Sequence, residues 1–388
     1  MNSKMPSFVD FLKNKPLYYK EIDHTRIANA YAQLKPHIKH PKTIHIVGTN
    51  GKGSTGRMIA YLAYKSGLKT GHFSSPHIMK FHERIWVNGA DANDETLEAA
   101  HQKLFGILGR ARCDALSYFE YTTLLALAVF ENLDLIVLEA GLGGEHDATN
   151  VCDKILSVIT PIGIDHQAFL GDSVEEIAGT KIQSIQKRAL LAPQPFNEVV
   201  KVAQEIAKQK GAELFLSKST PVDARLKKLN AIAKQKSWGS YLASNALVCL
   251  EALDILGIPY DIDDLNSLEL FGRFYPWSKN VRIDVGHNPL AASVIEKALE
   301  RKVVLIYNSL DDKDYEEVLR ILKPKVCRVE IIPIDSERAA ALAQIEKTLQ
   351  KIGLPYTYFK EKINKEEEYL VFGSFHTVEA FLKKMDKK

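Results

Sequence analysis

Cysteine is scarce in this chain, with four in 388 residues. Cys113, Cys152, Cys249 and Cys327 are widely scattered, with no C-x-x-C pair and no compact cluster. Neither a disulfide framework nor a zinc site is indicated, and a reducing, cytoplasmic location is the expectation. Charge of one sign is also lacking. Lys and Arg number 51 against 48 Asp and Glu, a net of +3. Nothing therefore argues for nucleic acid or a membrane surface as a partner. No apolar run approaches the roughly 18 residues of a spanning helix. The opening MNSKMPSFVDFLKNK has no continuous apolar core of the kind a secretory leader carries. Internal repeats and low-complexity linkers are missing too. What remains is the composition of a soluble globular protein, 46% hydrophobic and 26% charged. The length leaves room for about two or three domains.

The stretch that organises the rest is Thr43 to Thr55, TIHIVGTNGKGST. Ile44, Ile46 and Val47 read as a buried strand, Gly48 to Ser54 as a sharp turn, and Thr55 to Gly67 as a helix. Strand, glycine loop and helix form a phosphate cradle. Backbone N–H groups point inward, the helix N-terminus adds positive potential, and Lys52 reaches the terminal phosphates. The loop departs from G-x-x-x-x-G-K-[ST], because its first glycine lies only three residues before Gly51 and Gly53 separates Lys52 from Ser54. The competing reading is a glycine turn opening an ordinary helix. The strand before, the helix after and the lysine in place weigh against it.

Other candidates fall at strand ends, the edge where open α/β sheets bind ligands. The strand Lys69 to Phe73 ends in Ser74-Ser75-Pro76. The almost wholly apolar run Leu133 to Glu139 reads as a central parallel strand. It ends in Glu139, where a nucleotide magnesium is usually held, although a strand-end acid is often only a cap. The strand Ile155 to Ile159 leads to His166, a third candidate on that edge, although a lone histidine is more often a packed residue. Lys181 lies in a predicted helix from Ser173 to Lys187 and reads by composition as a surface lysine. Glu120 opens the apolar helix Ser117 to Glu131, where an acid can simply complement the dipole.

Two short helices are predicted before residue 40, an extended piece at Phe81 to Val87 and a helix at Asp94 to Leu108. Further helices are expected at Asn197 to Lys210 and Ser240 to Leu256, with lysine-rich extended segments between them. Phe271 to Pro276 reads as a hinge. Beyond it strands and helices alternate again, including a helix near Glu337 to Ile352, and form a second α/β unit of about 110 residues.

These motifs together carry a resemblance. GTNGKGS (48–54), SSPHIMKFHERI (74–85), YFEYTTLLAL (118–127), LEAGLGGEHDATN (138–150), IGIDHQAFLG (162–171), GRF (272–274), DVGHNP (284–289), DDKD (311–314) and GSFHTV (373–378) follow one another along nearly the whole chain. The chain resembles the folate branch of the Mur ligase superfamily of ATP-dependent amide ligases. The glycine after the loop lysine separates this branch from the Mur ligases, whose loop typically runs GKT.

The resemblance implies an α/β fold of two parts. Residues 1–275 would form a P-loop domain binding ATP and pterin, and residues 280–388 a smaller Rossmann-like domain. It implies a ligase that joins L-glutamate to dihydropteroate, and to reduced folates as well, through an acyl phosphate. The alternative is a Mur-type ligase acting on another carboxylate. A nucleotide switch is disfavoured because it needs only one magnesium. Asn50, Gly51, Lys52, Gly53 and Ser54 would hold the phosphates. Asn245, Arg273, Asp284 and His287 would contact ATP. Ser75, Glu139 and His166 would ligate magnesium, and an N-carboxylated Lys181 would support a second magnesium. Lys52, Lys181 and His287 would carry the chemistry. Leu17, Tyr18, Ser117, Tyr118, Phe119, Glu120, His146, Asp147 and Ala148 would face the pterin. A monomer is expected.

The chain departs from the family in three places. The modified lysine usually sits in E-K-A-G-I, and here the run is Thr180-Lys181-Ile182-Gln183-Ser184. Glu145 stands where the family has Arg, which reverses a charge beside the substrate loop. The region from about 190 to 237 is shorter than usual. The cradle reading predicts that Lys52→Ala lowers turnover by orders of magnitude, measured as phosphate release from ATP. A near-normal rate would overturn it.

Overall fold

The computed structural model describes residues 5–16, 23–217 and 224–386. Its framework is two sheets. The first has eight strands in the spatial order Ala90–Asp91, Ile85–Val87, Thr70–Phe73, Leu135–Glu139, Lys42–Val47, Leu156–Ile159, Arg188–Leu191, Glu213–Leu216. All pairings are parallel except those at the edge made by Ile85–Val87 and Ala90–Asp91. Leu135–Glu139 and, beyond its exposed first residue, Lys42–Val47 are buried on both faces because helices cover both sides. In their register Ile46 lies opposite Glu139. The acid and the phosphate loop therefore leave the sheet at the same carboxyl edge.

The second sheet has six strands in the order Tyr356–Tyr358, Val326–Ile331, Val303–Tyr307, Tyr369–Phe372, Val281–Ile283, Tyr275–Ser278. Only Tyr275–Ser278 runs antiparallel to its neighbour. The segments following Val281–Ile283, Val303–Tyr307 and Tyr369–Phe372 all leave one carboxyl edge. Hydrogen bonds from Asn288 and Lys313 tie that edge to loops of the first sheet.

Local chemistry accounts for the helix starts. Asn93 caps the helix Asp94–Leu108 by accepting from Thr96 N. Ser117 and Glu120 form a reciprocal capping box that opens Tyr118–Phe130. Several expectations need correction. Phe81 to Arg84 is a 3-10 helix instead of an extended piece. The Glu83 carboxylate accepts from the backbone N–H groups of Ile78, Met79 and Lys80 at 2.7, 2.9 and 2.9 Å and curls the loop around itself. The predicted helix from Ser173 to Lys187 covers only Val174–Ile182. The lysine-rich segment contains a strand at Glu213–Leu216 and a helix at Ala224–Gln235. The predicted hinge runs into the strand Tyr275–Ser278, and the helix expected from Glu337 begins at Leu342. Among the described residues no helix is long and apolar enough to cross a membrane.

Candidate active site

The phosphate loop is a forced turn. Gly48 has φ +146°, and a Cβ there would fall 2.0 Å from Thr160 Oγ1. Thr49 and Asn50 both donate backbone N–H to Pro161 O, at 2.9 and 3.1 Å, so the loop leans on the segment after Leu156–Ile159. The helix Lys52–Lys65 follows, and no side chain caps its N-terminus. An uncapped helix start offers its N–H groups to an anion. Lys52 Nζ folds back and donates to Gly48 O and Thr49 O at 3.1 and 3.2 Å. Asn245 stands behind the loop and donates to Ser54 Oγ at 2.8 Å, and Ser54 Oγ donates to Gly51 O at 3.1 Å. In this structure Asn245 props the cradle from behind.

Glu139 is buried at the end of its strand, and Oε2 accepts from Ser75 N at 3.3 Å. Burial pushes its carboxyl above the ordinary range, while the charges of Lys52 and Arg273 pull the other way. A Cβ on Gly53 would lie 3.3 Å from Arg273 Nη2 and 3.3 Å from Glu139 Oε2. The glycine inserted after the lysine thus leaves the gap in which these two groups reach the helix start.

His166 adopts a left-handed backbone, φ 54°. Burial lowers it to about 4, so the ring is neutral near pH 7 and has a lone pair to offer. Lys181 corrects the surface reading, because it is only 4% exposed. Desolvation, helped by the charge of Lys52, lowers its ammonium to about 7.

The second sheet closes the other wall. Asp284 is buried and accepts from Gly286 N at 2.7 Å and from Tyr241 OH and Phe274 N at 2.8 Å. Burial raises its carboxyl despite the Arg273 charge and these donors. The Arg273 guanidinium lies 5.2 Å over the Phe375 ring. His287 Nε2 stands 3.6 Å from Asp165 Oδ2.

The open cleft between these walls holds about 190 Å³. Asn50 to Ser54, Ser75, Glu139, His166, Lys181, Arg273, Asp284 and His287 all line it. Among the described residues, none of those expected to face the pterin is part of that lining. Ser117 and Glu120 serve the helix cap, and Arg26 Nε donates to Glu120 Oε2 at 2.8 Å. The Tyr118 ring lies 5.3 Å from the Arg84 guanidinium. Phe119 packs where Gly141 has no side chain, since a Cβ there would be 2.6 Å from the ring. Asp147 is buried and accepts from Leu142 N and Thr149 N, both at 2.9 Å. Ala148 is buried, while His146 is exposed. Leu17 and Tyr18 lie outside the described residues.

Among the described residues no three His, Cys, Asp or Glu side chains converge as a ready metal cage. Ser75, Glu139 and His166 supply only two such groups, which suits a cation that takes its remaining ligands from phosphate and water. The structure adds Asp165, Asn288, Lys313 and Tyr241 to the site. The first three stand inside the motifs IGIDH, DVGHNP and DDKD, but their burial and mutual contacts are invisible in sequence. Nothing in the sequence marked Tyr241.

No family model matches the chain. It is 32% identical to the dihydrofolate synthase/folylpolyglutamate synthase of Escherichia coli strain K12 over 414 residues, covering 100% of this chain and 96% of that one. Its structure is similar to that of Helicobacter pylori folylpolyglutamate synthetase, with TM-score 0.79, 38% identity and 98% of each chain covered. It is also similar to E. coli FolC in complex with DHPP and ADP, with TM-score 0.83, 29% identity and 98% of each chain covered.

The gap at Gly53 yields a prediction. Gly53→Ala should lower turnover by roughly tenfold through crowding of Glu139 and Arg273. The thermal midpoint should move by less than about 2 °C. Retained turnover, or a large loss of thermal stability, would refute this account of the glycine.

Proposed function

From the premise that this chain belongs to the dihydrofolate synthase/folylpolyglutamate synthase family, we propose that it joins L-glutamate to dihydropteroate, and to tetrahydrofolate, in a reaction driven by ATP. The observation that carries this reading is the meeting of Lys52, Glu139, His166 and Lys181 with Arg273 and His287 around one cleft. We assign 1–275 to ATP and pterin binding and 280–388 to the closing domain. A monomer in the cytoplasm is the matching assembly and location.

A carboxylate is a poor electrophile until its oxygen is made a leaving group. The acceptor carboxylate attacks the γ-phosphorus, and ADP leaves. The amine of glutamate then attacks the acyl carbon of the resulting acyl phosphate, inorganic phosphate leaves, and the amine proton passes to solvent or buffer. The chain contributes placement and charge. Lys52 exchanges Gly48 O and Thr49 O for phosphate oxygens. The N–H groups at the start of Lys52–Lys65 bind the same oxygens, and Arg273 adds a second cation. His287 orients either the phosphates or the incoming amine. Closure between the two sheets keeps water from the acyl phosphate.

The donor set fits magnesium. Glu139 is a buried carboxylate with a single weak N–H partner from Ser75, and His166 is neutral. Ser75, Glu139 and His166 would hold one ion and a carbamate on Lys181 a second, neutralising phosphate charge when bound. The pterin would lie against Phe119, with Ser117, Tyr118, Glu120, His146, Asp147 and Ala148 shaping that pocket along with Leu17 and Tyr18. Glu145 points outward, with its side chain 47% exposed, which supports tolerance of the reversed charge.

Two measurements test the reading. Phosphate release from ATP with L-glutamate should occur with both dihydropteroate and tetrahydrofolate. Activity with dihydropteroate alone would make the chain a dedicated dihydrofolate synthase, and activity with neither would overturn the assignment. The second concerns Lys181. Only its neutral amine reacts with carbon dioxide, and its ammonium loses the proton at about 7. A carbamate resonance from ¹³C-bicarbonate should therefore grow from roughly pH 6 to roughly pH 8. It should be absent in Lys181→Met. A signal that persists in that variant would place the carbamate elsewhere.

A further inference from the structure

Two motifs keep unused residues at the cleft: Asp165 in IGIDH, which lines it, and Lys313 in DDKD, which stands behind Asp165. They are 148 residues apart in sequence and belong to different sheets' loops, yet Lys313 Nζ donates to Asp165 Oδ1 at 2.7 Å. Both side chains are nearly closed to solvent, at 3% and 7% exposed. Asp165 is tied to the loop it sits in through one bond, accepted from His166 N at 2.9 Å. Apart from the His166 ring, whose Nε2 stands 4.0 Å from Oδ1, its other polar neighbours come from the second sheet's side. Asn288 Nδ2 donates at 3.1 Å, His287 Nε2 stands at 3.6 Å, and Lys313 completes the set.

Lys313 is firmly presented. Asp312 pairs with Arg338 Nη2 at 2.6 Å on one side. On the other, Asp314 caps the helix Tyr315–Leu322 by accepting from Glu317 N at 3.0 Å. His166 is the opposite case. Its left-handed backbone is one that a non-glycine residue keeps only when its surroundings over-determine it. The Asp165 carboxylate, bonded to the His166 N–H, is a main part of those surroundings. Removing the lysine would leave that carboxylate buried without its closest cation, which costs more than the pair itself is worth.

We infer that Lys313 is a positioning residue: by holding Asp165 from the second sheet's side it sets the placement of His166, so the metal-binding end of the cleft is complete only when the two sheets' loops are docked. This rests on the reading of His166 as a metal ligand. Lys313 touches His166 as well, with Nζ 3.4 Å from Nε2, so an opposite role as a cation competing for that nitrogen is a defined alternative.

The test uses the full chain without substrates. In Lys313→Met, hydrogen exchange of the 163–170 amides should quicken by about tenfold or more, while the amides of Lys42–Val47 stay unchanged. The dissociation constant of Mn²⁺ in the presence of ADP, read by electron paramagnetic resonance, should rise by about tenfold. The double variant with Asp165→Asn should be no worse than Lys313→Met alone, because the two residues act as one unit. Absence of either shift, additive losses, or tighter Mn²⁺ binding would overturn the inference. Should Lys313→Met fail to fold, Asp165→Asn, which keeps the shape, carries the same two readouts. Neither readout needs a pterin acceptor, so failure of the proposed reaction and failure of this inference are told apart.

Discussion

The cost of burying charge governs this molecule. Glu139, Asp147, Asp165, Asp284, Lys181 and Lys313 are all withdrawn from water in or near one cleft. A buried charge is tolerated when it is hydrogen-bonded or paired, and is otherwise expensive. The chain meets this cost unequally. Asp284 has three donors and Asp147 has backbone donors on both oxygens, so both act as fixed struts. Burial alone would raise Asp165, but the hydrogen bond and charge of His287, with His166 and Lys313, hold it well below the usual carboxylate range. Glu139 and Lys181 are the ones left short of partners, and both, like Asp147 and Asp284, are shifted by burial toward their neutral forms. The groups with unmet demand face the space where a nucleotide and its counter-ions would lie.

What could be read from sequence was whatever rests on neighbours in the chain. The phosphate loop, the strand ending in Glu139 and the helix Asp94–Leu108 follow from local pattern, capping and run length. What escaped depends on distant packing. Lys181 looks like a solvent-facing lysine on its own helix. It is buried because the loop after Glu139 lies against it, so closely that a Cβ on Gly144 would fall 2.2 Å from Lys181 O. Asp165 and Lys313 meet only because two sheets present their carboxyl edges to each other. The edge strands Tyr275–Ser278 and Tyr356–Tyr358 are short and partly exposed, and the first contains Pro276, so neither alternates clearly.

Two of the three departures from the family pattern, at Glu145 and around Lys181, are adjacent in space. Glu145 N donates to Thr180 O at 3.0 Å, and Ser184 Oγ donates to Lys181 O at 2.9 Å. Lys154 links both segments, donating to Asn150 Oδ1 and, at 2.9 Å, to Ser184 O. The contacts across this seam are largely to backbone atoms, which every residue type supplies. That explains how the neighbours of Lys181 and the charge at position 145 can differ while the lysine keeps its place.

The fold-back of Lys52 onto Gly48 O and Thr49 O means that the lysine of the resting loop already has partners. Nucleotide capture at this point is an exchange of partners, so the affinity gained is a difference between two sets of bonds. A ligand with one phosphate has few contacts to set against that exchange, whereas a triphosphate has many. The loop is therefore built to discriminate by phosphate number and to let go of the inorganic phosphate that the reaction leaves behind.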